Sequence, residues 1–159
     1  MDDEKIFPVE EMVAYEEFTD RVEILRELDA WVKNIQRMAS PSTALISPRR
    51  LGKTVLLDRL VNTVFFKPEY KVAPFYFRMK REDTTLREFL MLYAATFFRQ
   101  YIAYCHQNPG LYRSRETLEQ LLDYPSDLKA VGLAKEFIEE FLSLYYHEPY
   151  YRARNHWDE

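Results

Sequence analysis

Residues 48–54 read Pro48-Arg49-Arg50-Leu51-Gly52-Lys53-Thr54, with Ser47 before them and Val55 after. They stand between two apolar runs, Ala44-Leu45-Ile46 and Val55-Leu56-Leu57. A glycine, a lysine and a hydroxyl in consecutive positions suit the chemistry of a bound phosphate. A helix starting here turns unpaired N–H donors and the positive end of its dipole toward an anion. Gly52 has no Cβ, so the backbone can approach a phosphate closely and turn sharply into the helix. Lys53 supplies a point charge for the β- and γ-phosphates, and the Thr54 hydroxyl is the kind of oxygen ligand Mg²⁺ prefers. Arg49 and Arg50 add positive potential beside phosphates or pair with carboxylates elsewhere. A strand, a tight loop ending in Gly-Lys-Thr and a helix make the context of a phosphate-binding P-loop. Ser47 stands where the full pattern has its first glycine, and Pro48 pushes it toward extended geometry. The competing reading is an ordinary basic turn between a strand and a helix.

The elements that must hold this loop follow from the patterning. Thr43–Ile46 reads as a first strand and Lys53–Phe66 as the helix after the loop. Val72–Met79 reads as a second strand, with Phe75 and Phe77 alternating with Tyr76 and Arg78. Strand, helix, strand is a βαβ unit and favours a parallel sheet with a right-handed crossover. Upstream, residues 1–18 read as an extended lead-in. A helix then starts in Phe18-Thr19-Asp20-Arg21-Val22-Glu23, with Asp20 as cap and Val22, Leu25, Leu28, Trp31 or Val32, and Ile35 at helical spacing. Downstream, Thr85-Leu86-Arg87-Glu88 is a capping box that opens a helix running to Cys105, which Asn108-Pro109-Gly110 ends. A shorter helix fits 115–122 and a further one 128–146. The expected fold is therefore α/β: a P-loop NTPase-like parallel sheet with a βαβ start and a helix-rich second half. With only two strands legible, that sheet is incomplete, and residues 19–159 form the N-terminal portion of the domain.

Composition bounds the rest. The chain has 159 residues, 47% of them hydrophobic and 16% aromatic, enough for one domain with a real core. A net charge of −4 gives no overall nucleic-acid footprint. Cys105 stands alone, which excludes a disulfide framework and points to a cytoplasmic setting. The acidic start is unlike a signal peptide, and the longest apolar run, 89–98, is about half a membrane span, so no membrane partner is expected. His106, His147 and His156 share no metal-ligand spacing. Tyr145, Tyr146, Tyr150 and Tyr151, with Arg152 and Arg154, form either a stacking patch for single-stranded nucleic acid or apolar packing surface.

Hydrolysis of a nucleotide needs a second acidic element, an apolar strand ending in Asp or Asp-Glu, to hold Mg²⁺ and polarise water. Leu121-Leu122-Asp123 is too short and Asp158-Glu159 follows no apolar strand. With these residues in view, the chain resembles the archaeal-type ATPases of the AAA+/STAND group. Phe18-Thr19-Asp20-Arg21-Val22-Glu23-Ile24-Leu25 looks like that family's first box, and Ser47-Pro48-Arg49-Arg50-Leu51-Gly52-Lys53-Thr54 like its second. The resemblance covers residues 15–105 best. It implies ATP and Mg²⁺ as ligands, Lys53 and Thr54 in the roles given above, and a segment from Phe18 to Arg21 lying near the adenine. It also implies an ATPase whose hydrolysis requires residues outside this chain, so that this chain binds without hydrolysing efficiently. The alternative is a non-enzymatic module with a vestigial loop, which binds a protein partner or itself.

Overall fold

The computed structural model describes residues 6–10, 21–37, 39, 42–46, 48, 50–79 and 85–147. Six α-helices follow one another: α1 Val22–Ile35, α2 Lys53–Phe65, α3 Leu86–Cys105, α4 Pro109–Arg113, α5 Leu118–Leu121 and α6 Lys129–His147. A 3₁₀ turn at Pro68–Tyr70 follows α2.

Local chemistry sets most of the boundaries. Thr85 Oγ1 accepts from the Glu88 N–H at 3.2 Å and Glu88 Oε2 accepts from the Thr85 N–H at 2.8 Å, the reciprocal box expected at the start of α3. Thr117 and Gln120 make the same box at α5, which therefore begins later than the expected 115. Asn108 caps a helix that sequence reading did not anticipate. Its side chain accepts from the Leu111 N–H at 3.0 Å, and Pro109 takes the first helical position, where its missing N–H costs nothing. The start of α1 differs in detail: Arg21 occupies its cap position without a side-chain bond, and Asp20 lies outside the described residues.

The core joins α2 to the last four helices. Val61 and Phe65 of α2 meet Ala94, Ile102 and Ala103 of α3, Leu111 and Tyr112 of α4, Leu118 and Leu121 of α5, and Val131, Ala134 and Ile138 of α6. A smaller cluster of Val32, Val64 and Tyr70 fastens α1 to the other side of α2. Beside it, Tyr70 donates to Asp29 Oδ1 at 2.6 Å, and Lys33 and Lys67 both face the same carboxylate. Burial alone would raise the Asp29 pKa; the bonds from Lys33 and Tyr70 outweigh it and hold the group below its ordinary value.

The expected parallel sheet is not formed: among the described residues there is no strand. Residues 43–46 and 72–79, expected as strands, form no regular element and are not paired in a ladder. The reason is visible at Tyr76. Its N–H donates to Gln100 Oε1 at 2.8 Å, and its carbonyl accepts from Gln100 Nε2 at 2.9 Å. A buried side-chain amide from α3 thus fills the place of a neighbouring strand. The outward aromatic residues of the segment are also spent on α3. Phe75 packs edge-on against Tyr93 and Phe97, and Phe77 against Phe89 and Tyr93. Asn62 of α2 repeats the device at Val9, donating to its carbonyl and accepting from its N–H, both at 2.9 Å. Alternation told which side chains share a face, and a helix rather than a sheet covers that face.

Tyr112 ties the segment down further, donating to the Pro74 carbonyl at 3.1 Å. It is 2% exposed, and burial raises its pKa well above the ordinary tyrosine value. A phenol held neutral in the fold but ionising freely in the unfolded chain stabilises the fold fully below the unfolded pKa. That stability is lost as pH rises through the folded value. Urea midpoints are therefore expected to fall between about pH 9 and about pH 11, across the ordinary phenol pKa. Tyr112→Phe should show a shallower fall, and equal slopes in the two proteins would contradict the assignment.

Candidate functional site

The loop before α2 is built by backbone handedness. Arg50 has φ +67° and Gly52 has φ +70°, both left-handed. Leu51 between them is not among the positive-φ residues, and Lys53 opens the helix. Left-handed residues in a tight turn can bring successive N–H groups toward one side, the concavity in which anions bind. Gly52 occupies this conformation without penalty, and Arg50, which carries a Cβ, occupies it at a cost of about 1–2 kcal/mol. Gly52 is also the N-cap of α2 and offers no side-chain cap to its first turn.

Two cations stand over this turn. The Arg21 guanidinium lies against Gly52, its Nη1 3.5 Å from where a Cβ would project. Lys53 reaches back along the loop, its Nζ donating to the Pro48 carbonyl at 2.9 Å. Arg21 and Lys53 share a shallow cleft of about 270 Å³ with the apolar side chains of Ile24, Leu45, Ile46, Leu51 and Leu56. Charge on one side and exposed hydrocarbon on the other can receive a ligand with an anionic end and an apolar body. Thr54 is exposed, and Val55 is half-buried where the helix turns inward. Of the expected site residues, then, Pro48, Arg50, Leu51, Gly52, Lys53 and Thr54 lie together, and Arg21 joins them from α1. Phe18 and Arg49, with Ser47, lie outside the described residues.

The acidic strand was sought downstream, but the buried carboxylate closest in sequence to the loop is on α2 itself. Asp58 follows Thr54 by four residues and is 2% exposed. The Arg78 Nη2 stands 4.0 Å from its Oδ1 and donates to the Tyr76 hydroxyl at 2.8 Å. Burial, and to a lesser degree the nearby Asp58 carboxylate, raises the Tyr76 pKa, while Arg78 works against the rise. The cluster joins the helix of the loop to the 72–79 segment. A charged residue inside a seven-residue stretch rich in Val and Leu was the available signal, and its spacing from Thr54 was legible.

Among the described residues, no group of three or more His, Cys, Asp or Glu side chains could hold a metal ion. None of the described helices is long and apolar enough to cross a membrane. No protein-family model matches the chain, and no curated protein and no solved structure is significantly similar to it.

Proposed function

We propose that the loop at 48–54 binds the phosphates of a nucleoside triphosphate, ATP with Mg²⁺, at the N-terminus of α2. The observation that carries the reading is the left-handed backbone of Arg50 and Gly52 leading into a helix start with Lys53 and Arg21 beside it. The donors of such a loop are local backbone groups, so the reading does not depend on a sheet. On binding, Lys53 exchanges the Pro48 carbonyl for phosphate oxygens, Arg21 adds a second positive charge, and the Thr54 hydroxyl turns to the metal. The likeness of 18–25 and 47–54 to the archaeal-type ATPases supports ATP as the nucleotide. Hydrolysis is not part of the proposal.

The test is a titration of fluorescent ATP, with and without Mg²⁺, into the native chain and Lys53→Ala. Charge-assisted bonds of about 1.5–3 kcal/mol imply a loss of roughly 10- to 100-fold on removing the ammonium. Equal affinities in the two proteins, or binding by neither, would sink the proposal.

A second reading has its own observation. Leu133, Phe137 and Leu144 of α6 are each more than half exposed, and their spacing sets them on one stripe of the helix. That suits a non-enzymatic module that docks a protein partner or a second copy of itself. Absence of ATP binding together with concentration-dependent sedimentation would favour it.

A further inference from the structure

A cleft of about 740 Å³ opens between α3, the α4–α5 region and the end of α6, away from the residues of the phosphate loop. Its walls are largely apolar: Met91, Leu92 and Ala95 from α3, Leu118 from α5, and Tyr145 and Tyr146 from α6. The tyrosine wall is fastened at both sides. The Arg87 guanidinium lies 4.5 Å from the Tyr145 ring centre, and the Tyr146 hydroxyl donates to Glu119 Oε1 at 3.1 Å.

Arg99 and Arg115 also line the cleft, with Glu88, Glu116 and Glu119. Each carboxylate already accepts at least one bond. Glu88 accepts from the Thr85 N–H and hydroxyl, Glu116 Oε1 accepts from the Tyr124 hydroxyl at 2.9 Å, and Glu119 accepts from Tyr146, while Glu116 Oε2 is shut off from solvent and meets no donor. The Arg99 guanidinium makes no such bond. Its Nε is shut off from solvent and meets no acceptor, and the group has no hydrogen-bond or ion-pair partner among the described residues. Burial disfavours the charge on Arg99 more than the nearby Glu116 supports it. A partly desolvated guanidinium fork without a partner is a strong receptor for a planar oxyanion. With three carboxylates around two guanidiniums, a ligand bearing one negative charge is repelled less than one bearing two, so a carboxylate suits the fork better than a phosphate dianion.

We infer that this cleft binds a small organic carboxylate with an apolar body, its carboxylate on Arg99 and its hydrocarbon between α3 and the Tyr145–Tyr146 wall. Cavities of this size, apolar with a few placed polar groups, are the ordinary form of small-molecule sites.

The experiment titrates 4-phenylbutyrate and, as its neutral counterpart, 4-phenylbutan-1-ol into the full chain by calorimetry. The acid is expected to bind at least tenfold more tightly than the alcohol. Arg99→Gln should bring the acid to the level of the alcohol, and Leu92→Trp, at a half-exposed position on the rim, should weaken both. Where Arg99→Gln fails to fold, Arg99→Lys takes its place: it keeps the charge, loses the fork, and should lower the acid's advantage several-fold. An acid no tighter than the alcohol, or an advantage unchanged by the Arg99 variants, would overturn the inference.

Discussion

Phe65→Ala is expected to cost about 3–5 kcal/mol, the range for emptying a large aromatic site in a packed core. Phe65 is fully buried near the C-terminal end of α2. Its ring meets Phe66, Tyr104 and Tyr112 edge-on, with centroids 5.3, 6.0 and 5.5 Å away. Edge-to-face pairs add about 0.5–1.5 kcal/mol each beyond the area they bury. The residue therefore bonds α2 to α3 and α4 in one place, and a truncation there leaves a cavity that three rings cannot close without leaving their favoured geometry. Against a total stability of about 5–15 kcal/mol for a domain, the loss is a large fraction. Urea unfolding measures it, with Leu57→Ala as the control on the exposed face of the same helix, where the change should stay within about 0.5 kcal/mol. A loss below about 1 kcal/mol for Phe65→Ala would show that the core does not close around this ring.

The second large effect is expected at Gln100. Leucine fills similar space but can neither accept from the Tyr76 N–H nor donate to its carbonyl. Both groups would be left without a partner in the interior. Each orphaned group costs about 1–3 kcal/mol, so the pair should cost about 2–6 kcal/mol. Gln100 is 5% exposed, and water has little access to stand in for the lost amide. Near-ultraviolet circular dichroism reports on the aromatic cluster of Phe75, Phe77, Tyr93 and Phe97 that the 72–79 segment carries, and should weaken in Gln100→Leu before the helical signal does. A variant as stable as the native chain, within about 0.5 kcal/mol, would mean the segment is held by its rings alone.

These two residues also show where sequence reading succeeds and stops. Helices were legible because their signals are local. The Thr85–Glu88 box lies within four residues of the helix it starts, and the spacing of Leu28 and Val32 lies within one turn. The short helix at Pro109–Arg113 was missed for a related reason: the Asn-Pro-Gly that ends one helix supplies the cap and first residue of the next. The sheet was inferred from the alternation of Phe75, Tyr76, Phe77 and Arg78, which is a property of any extended segment with two different faces. Whether its backbone is met by a strand or by the amide of Gln100 depends on a contact 24 residues away. The left-handed turn at Gly52 follows from its residue type, whereas that of Arg50 does not. The approach of Arg21 to Gly52 was not legible, since 31 residues separate them. Arg99 escaped notice for the opposite reason. It reads as the polar end of an apolar run, and only the packing around it shows that its Nε is shut off from solvent.

The clamps at Tyr76 and Val9 have a mechanical side. A strand in a sheet is held along a seam, and shear must break many bonds together. Here each segment is riveted chiefly at one residue, by two bonds to a single amide, and the 72–79 segment gains one more bond where Tyr112 meets the Pro74 carbonyl. A rivet fixes position but offers little torque, so resistance to pivoting falls on the flanking rings. It also decides which parts travel together. Asn62 rides on the helix that begins at Lys53, so a small shift of that helix carries residue 9 as cargo. Residue 76 belongs instead to the frame of α3, and Asp58, facing Arg78, is the strut between the two.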